Sequence, residues 1–82
     1  MPNGLKNWVY KDVIKFLKAN GFLFSKELEG SHEAWIKMNV NPPAIVDIDF
    51  KKGSHSYPQR TLETMIGQSG LDKKVWREWA GK

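Results

Sequence analysis

Apolar positions along the chain change period once and then change back. Tyr10, Val13, Ile14 and Leu17 recur at i, i+3, i+4 and i+7, the spacing that gathers one face of an α-helix, and Gly21 supplies its stop. Lys11, Lys15 and Lys18 repeat on the outer side of that helix, as a solvated cationic stripe does. After Gly21 the period falls to two. The run "FLFSKEL" sets Phe22 and Phe24 against Leu23, Ser25 and Glu27, and "EGS" provides a turn. Next, Ala34, Ile36, Met38 and Val40 alternate with Glu33, Trp35, Lys37 and Asn39 until "NPP" at 41–43 breaks the pattern. A third run, "AIVDIDF", places Val46, Ile48 and Phe50 on one face and Asp47 and Asp49 on the other. Three alternating runs joined by short turns predict an antiparallel meander with one wet face.

Beyond the polar loop "KKGSHSYPQR" the helical period returns. Leu62, Met65 and Ile66 share a helical face, Pro58 fits the first turn, and Gly70 fits the left-handed position that ends a helix. A last short helix, "DKKVWREWA", has Asp72 as its N-cap and Leu71 facing Trp76 as a hydrophobic staple, with Val75, Trp76 and Trp79 docking it. With no linker, repeat or low-complexity tract, residues 1–82 read as one domain of order α-β-β-β-α-α. Its class is α+β, with the helices covering one face of a three-stranded antiparallel sheet.

A chain of 82 residues buries only roughly 60–65% of the surface it exposes when unfolded, which leaves little apolar surface for a deep pocket. The absence of cysteine excludes disulfides, thiolate metal sites and thiol chemistry. The first residues, "MPNGLKNWVYKDVIKFLK", interrupt their apolar positions with charge and do not read as a signal peptide, and no apolar run is of membrane-spanning length, so a cytoplasmic location without membrane contact is expected. The net charge of +4 is unevenly placed: residues 1–50 carry six basic and six acidic side chains, residues 51–82 seven and three. A basic excess confined to the last third suits a polyanionic partner or a plain solvated surface.

Candidate chemistry is sparse. His32 and His55 are the only imidazoles and lie in no metal-ligand spacing, and the glycines form neither phosphate-cradling signature. Asp47 and Asp49 share a strand face, where they either hold a cation or, more simply, solvate the sheet. Single-histidine chemistry on a substrate that carries its own nucleophile remains. RNA is such a substrate, because its 2′-hydroxyl sits beside each phosphate and a positioned imidazole can exchange the protons. In "EGSHEAW", Gly30 permits close approach of a phosphate and Ser31 can donate to it. Strand parity, which puts His32 with Ala34, Ile36 and Met38, equally allows a half-buried structural histidine.

The order of these motifs resembles the HicA family of small mRNA interferase toxins from toxin–antitoxin operons, the YcfA-like proteins. The resemblance covers about residues 10–71 and is carried by Gly30-Ser31-His32 followed by Trp35, and by Thr61, Leu62, Ile66, Gly70 and Leu71. It implies a double-stranded-RNA-binding-like α-β-β-β-α fold, metal-independent cleavage of mRNA without any cofactor, and neutralisation by a HicB-like antitoxin that covers the active site. The family's catalytic histidine falls on His32 and its glycine on Gly30. Substrate contacts are expected from Gly30, Ser31, Lys51, Lys52 and Arg60, with Lys73, Lys74 and Arg77 as further contributors. Where the family usually has a Val-Pro-like strand end, this chain has the acidic "VDIDF". Glu33, next to His32, is expected to raise the imidazole pKa on close approach, and Trp76 and Trp79 to cover the core. The alternative reading is a non-catalytic RNA-binding module of the same fold, and a third is an interaction protein with no RNA partner.

Overall fold

The computed structural model describes residues 4–50 and 55–80. Six elements follow in order: α1 (Tyr10–Ala19), β1 (Leu23–Glu27), β2 (His32–Lys37), β3 (Ala44–Asp49), α2 (Gln59–Ser69) and α3 (Lys73–Ala80). The strands form one antiparallel sheet in the order β1-β2-β3, so the α+β architecture and the meander are those the periodicity predicts. The Asp12 carboxylate accepts the Val9 N–H at the start of α1 (3.2 Å). Gly21 (φ +86°) and Gly70 (φ +73°) take the left-handed conformation at the ends of α1 and α2, where a side chain would cost roughly 1–2 kcal/mol. At the start of α3, the Lys74 N–H donates to the Asp72 carboxylate (3.1 Å), as its capping role requires.

All three helices contribute to a core on one face of the sheet. Val13, Phe16 and Leu17 from α1, Leu62, Met65 and Ile66 from α2, and Trp76 and Ala80 from α3 pack with Trp35, Val46 and Ile48. Aromatic rings fill its centre: Phe16 and Trp76 lie 4.1 Å apart between centroids, and Trp8 lies 5.3 Å from Trp76 and 5.5 Å from Trp79. Such rings need partners for their N–H groups when buried. Ser69 supplies one, its buried hydroxyl accepting from Trp76 Nε1 (3.2 Å) while donating to the Ile66 carbonyl (2.7 Å).

The faces of β2 are the reverse of those expected from alternation. Register pairs Trp35 with Val46 and Glu33 with Ile48, so Trp35 points into the core while Ile36, opposite Ile45, faces outward with the exposed Met38 beyond it. One tryptophan outweighs two smaller side chains, because it buries roughly 150–250 Å². In β1 an irregularity between Phe24 and Lys26 shifts the parity, as a bulge does. Glu27 therefore joins Phe24 and Glu33 on the inner side instead of remaining with Leu23. Phe50 and Val75, expected to be covered, are exposed, and Pro58 occupies the N-cap of α2 rather than its first turn. Trp8 and Tyr57, both buried, join outside the regular elements through a bond from the Tyr57 N–H to the Trp8 carbonyl (2.8 Å). Among the described residues, no helix is long and apolar enough to cross a membrane.

Candidate active site

The turn between β1 and β2 is built to hold its last residue still. Gly30 has φ +70°, and bonds from Leu28 N–H to the His32 carbonyl and from Phe50 N–H to the Ser31 carbonyl, both 2.8 Å, pin the backbone on either side. His32 opens β2 directly opposite Asp49, with Asp47 one diagonal away on the same outer face. Its Nδ1 lies 2.7 Å from Asp47 Oδ1 and its Nε2 4.0 Å from Asp49 Oδ1. An ionised carboxylate can only accept, so Nδ1 carries the hydrogen and Nε2 is the atom left for proton exchange. The side chain is 45% exposed, as access by a large substrate requires. The bond to Asp47 raises the imidazole pKa above 6.5, helped by the charges of Asp47 and then Asp49 and opposed by desolvation.

His32 stands between two clefts. One, of about 250 Å³, lies between β3 and α2, where Asp47 and Asp49 face Arg60, Thr64 and Gln68. Gln68 Oε1 accepts the backbone N–H of Asp47 (3.0 Å), and Tyr57 donates its hydroxyl to the Asp49 carbonyl (2.7 Å). Both bonds fix β3 beneath the imidazole. Burial, followed by the nearby Asp49 charge, pushes the Tyr57 phenol up, so it remains a donor.

The other cleft, of about 310 Å³, opens around the turn and is bounded by Glu27, Gly30, Ser31, His32, Glu33 and Phe50. There Glu33 Oε1 accepts from the Tyr10 hydroxyl (2.7 Å) and Trp35 Nε1 (3.1 Å). Burial and then the bond to Glu33 push the Tyr10 phenol up to about 12. The Phe50 ring meets Tyr10 edge-on at 4.8 Å.

Gly30, Ser31 and His32 are thus together, and Arg60 shares a cleft with His32. Lys51 and Lys52 lie outside the described residues. The expected partner of His32 is corrected: Glu33 points to the opposite face and binds Tyr10 and Trp35, while Asp47 supplies the contact that raises the imidazole pKa. Lys73 and Lys74 lie within ion-pair distance of Glu63 (3.8 Å) and Glu78 (3.9 Å), and Arg77 lines a separate cavity with Leu5, Lys6 and Gln59. His55 is exposed. Spacing in the sequence does not reveal Asp47, Asp49 and Gln68 around His32. The shared parity of the two aspartates was visible, but the register between β2 and β3 that brings them to the histidine was not. Among the described residues, no three His, Cys, Asp or Glu side chains are grouped to hold a metal ion.

No protein-family model matches this chain, and neither a curated protein nor a solved structure matches it at a significant level.

Proposed function

We propose that the protein is an RNA endonuclease toxin of the mRNA interferase kind, acting in the cytoplasm and neutralised by a HicB-like antitoxin that covers its active site. The observation that carries this reading is the exposed, oriented imidazole of His32, held through Nδ1 by Asp47 at the mouth of a cleft that also contains Arg60. The element order is compatible with a double-stranded-RNA-binding-like domain, and the motif resemblance points the same way.

In the proposed reaction the RNA 2′-oxygen attacks its own phosphorus, the P–O5′ bond breaks, and a 2′,3′-cyclic phosphate and a 5′-hydroxyl end result. A proton must leave the 2′-hydroxyl and another must reach O5′. With its pKa raised, His32 is suited to deliver the second from Nε2, and its unprotonated fraction can accept the first. Asp47 keeps the ring in the required tautomer and orientation, as the carboxylate partner of a catalytic imidazole does. Arg60 offsets the charge that accumulates on the phosphate, while Gly30 and Ser31 border its approach. Lys51 and Lys52 are proposed to contact the RNA backbone as well. The reaction itself calls for no metal or other cofactor.

Incubation of purified protein with a long single-stranded RNA in EDTA, beside His32→Ala at equal concentration, tests the reading. Cleavage to 5′-hydroxyl ends by the parent and none by the variant is the expected result. Intact RNA with both folded proteins, together with salt-dependent RNA binding, would favour a non-catalytic RNA-binding module.

A further inference from the structure

The cleft around the turn has a chemistry that phosphate positioning does not use. Phe50, 46% exposed, presents an aromatic surface there, and its ring is braced by Tyr10. Glu33 enters the same space from a fixed position, since Tyr10 and Trp35 both donate to its Oε1. The two lone pairs of that oxygen are thereby used, and Oε2 takes no hydrogen bond among the described residues. Glu27 stands directly opposite Glu33 across the β1–β2 ladder and lines the same cleft. Like charges paired across strands destabilise a sheet, and a ligand that donates to both carboxylates would offset that repulsion.

Unstacked RNA bases are recognised by stacking on aromatic rings and by hydrogen bonds to their Watson–Crick edges. An edge that meets only carboxylate acceptors must offer adjacent donors. Guanine does so through N1–H and its exocyclic N2 amino group. Adenine and cytosine place a ring-nitrogen acceptor beside their amino group, and uracil flanks its single N–H with two carbonyls. We infer that this cleft is a guanine subsite: Phe50 stacks on the base, while Glu33 Oε2 and Glu27 accept from N1–H and N2–H. The inference deepens the nuclease reading and rests on it for its biological meaning. Because the cleft shares His32 with the proposed reaction centre, the bound guanosine adjoins the scissile linkage, and cleavage is guanine-directed.

Two measurements test this, one of which needs no catalysis. Titration with guanosine, adenosine and cytidine 3′-monophosphates, followed by NMR shifts at Phe50 and Trp35, reads base preference in the intact chain. Mapping the cut ends of a long RNA reads sequence preference. Guanosine 3′-monophosphate should bind at least about tenfold more tightly than the other two, and cut sites should carry guanine at one fixed flanking position.

Glu33→Gln should abolish the preference. Tyr10 and Trp35 hold the carboxamide oxygen, which leaves its NH2 group to face the guanine donors. Phe50→Ala, at an exposed position, should weaken all three nucleotides without changing their order. Equal affinities, or cuts without a fixed guanine, overturn the subsite. Selective binding by a parent that leaves RNA intact retains the subsite and removes the nuclease reading.

Discussion

The two faces of the sheet divide the work of the molecule between them. On the inner face Trp35, Val46 and Ile48 are sealed under helices, and at that face's end Glu33 is held through Oε1 by Tyr10 and Trp35. On the outer face the same two strands carry His32, Asp47 and Asp49, with Ile45 exposed beyond them. Successive residues of one strand thus belong to different tasks: Trp35 anchors β2, and that anchoring holds His32 in place three residues away. A sheet covered on one side draws its stability from that side, which leaves the other free to carry exposed polar groups such as His32, Asp47 and Asp49.

The sharpest way to break this comparison is to truncate one residue on each face. Trp35→Ala removes a buried indole and leaves Glu33 without one of its two donors. It should cost about 3–5 kcal/mol, read as a large fall in the urea midpoint. Ile45→Ala on the open face should stay within about 0.5–1 kcal/mol. Similar losses from both would mean that the outer face is covered in solution and that the division is false.

How far this division could be read from the sequence differs by element. Helix α1 was legible because its apolar spacing repeats from Tyr10 to Leu17, about two turns, and α2 and α3 because Gly70 and Asp72 mark their boundary. The wet face of β3 was legible as well, since Asp47 and Asp49 alternate with Val46 and Ile48. Strand β2 was not. Counting apolar positions favours the face of Ala34, Ile36 and Met38, and Ala34 is indeed buried, but the central core is decided by area, and Trp35 on the other face carries more of it. The irregularity at Phe24/Lys26 left no signal in the alternation of β1, so the meeting of Glu27 with Glu33 was hidden. That Gly30, Ser31 and His32 lie together around one cleft follows from their adjacency in the chain. The dependence of His32 on Asp47 required the strand register, a non-local quantity.

A smaller perturbation tests whether the polar end of the inner face is held as firmly as its apolar part. Tyr10→Phe keeps the ring against Phe50 and deletes only the donor to Glu33. The net loss should be about 0.5–1.5 kcal/mol, followed by thermal or urea unfolding. Because the Tyr10 phenol is pushed up to about 12, this bond should persist throughout the neutral and mildly alkaline range. The difference between parent and variant should therefore be flat from pH 6 to 9, and a slope within that window would mean that another group controls the contact.

The smallest effect on stability, and the most informative about the open face, is expected from Asp47→Asn. The His32 imidazole has its pKa raised in the folded protein chiefly by the bond to Asp47. A raised histidine pKa adds stability that is fully present below the unfolded value of ~6.5 and fades as pH rises through the folded value. The variant should therefore differ from the parent most in mildly acidic solution and converge with it above the folded pKa, by an amount that solvent exposure keeps small. NMR titration of the His32 ring should show its pKa falling toward the unperturbed value, with Asp49 retaining part of the shift. If His32 delivers a proton from Nε2, the alkaline limb of RNA cleavage should move to lower pH by the same interval. A cleavage profile that stays in place while the ring titration moves would separate His32 from the proton transfer and leave Asp47 with a structural role only.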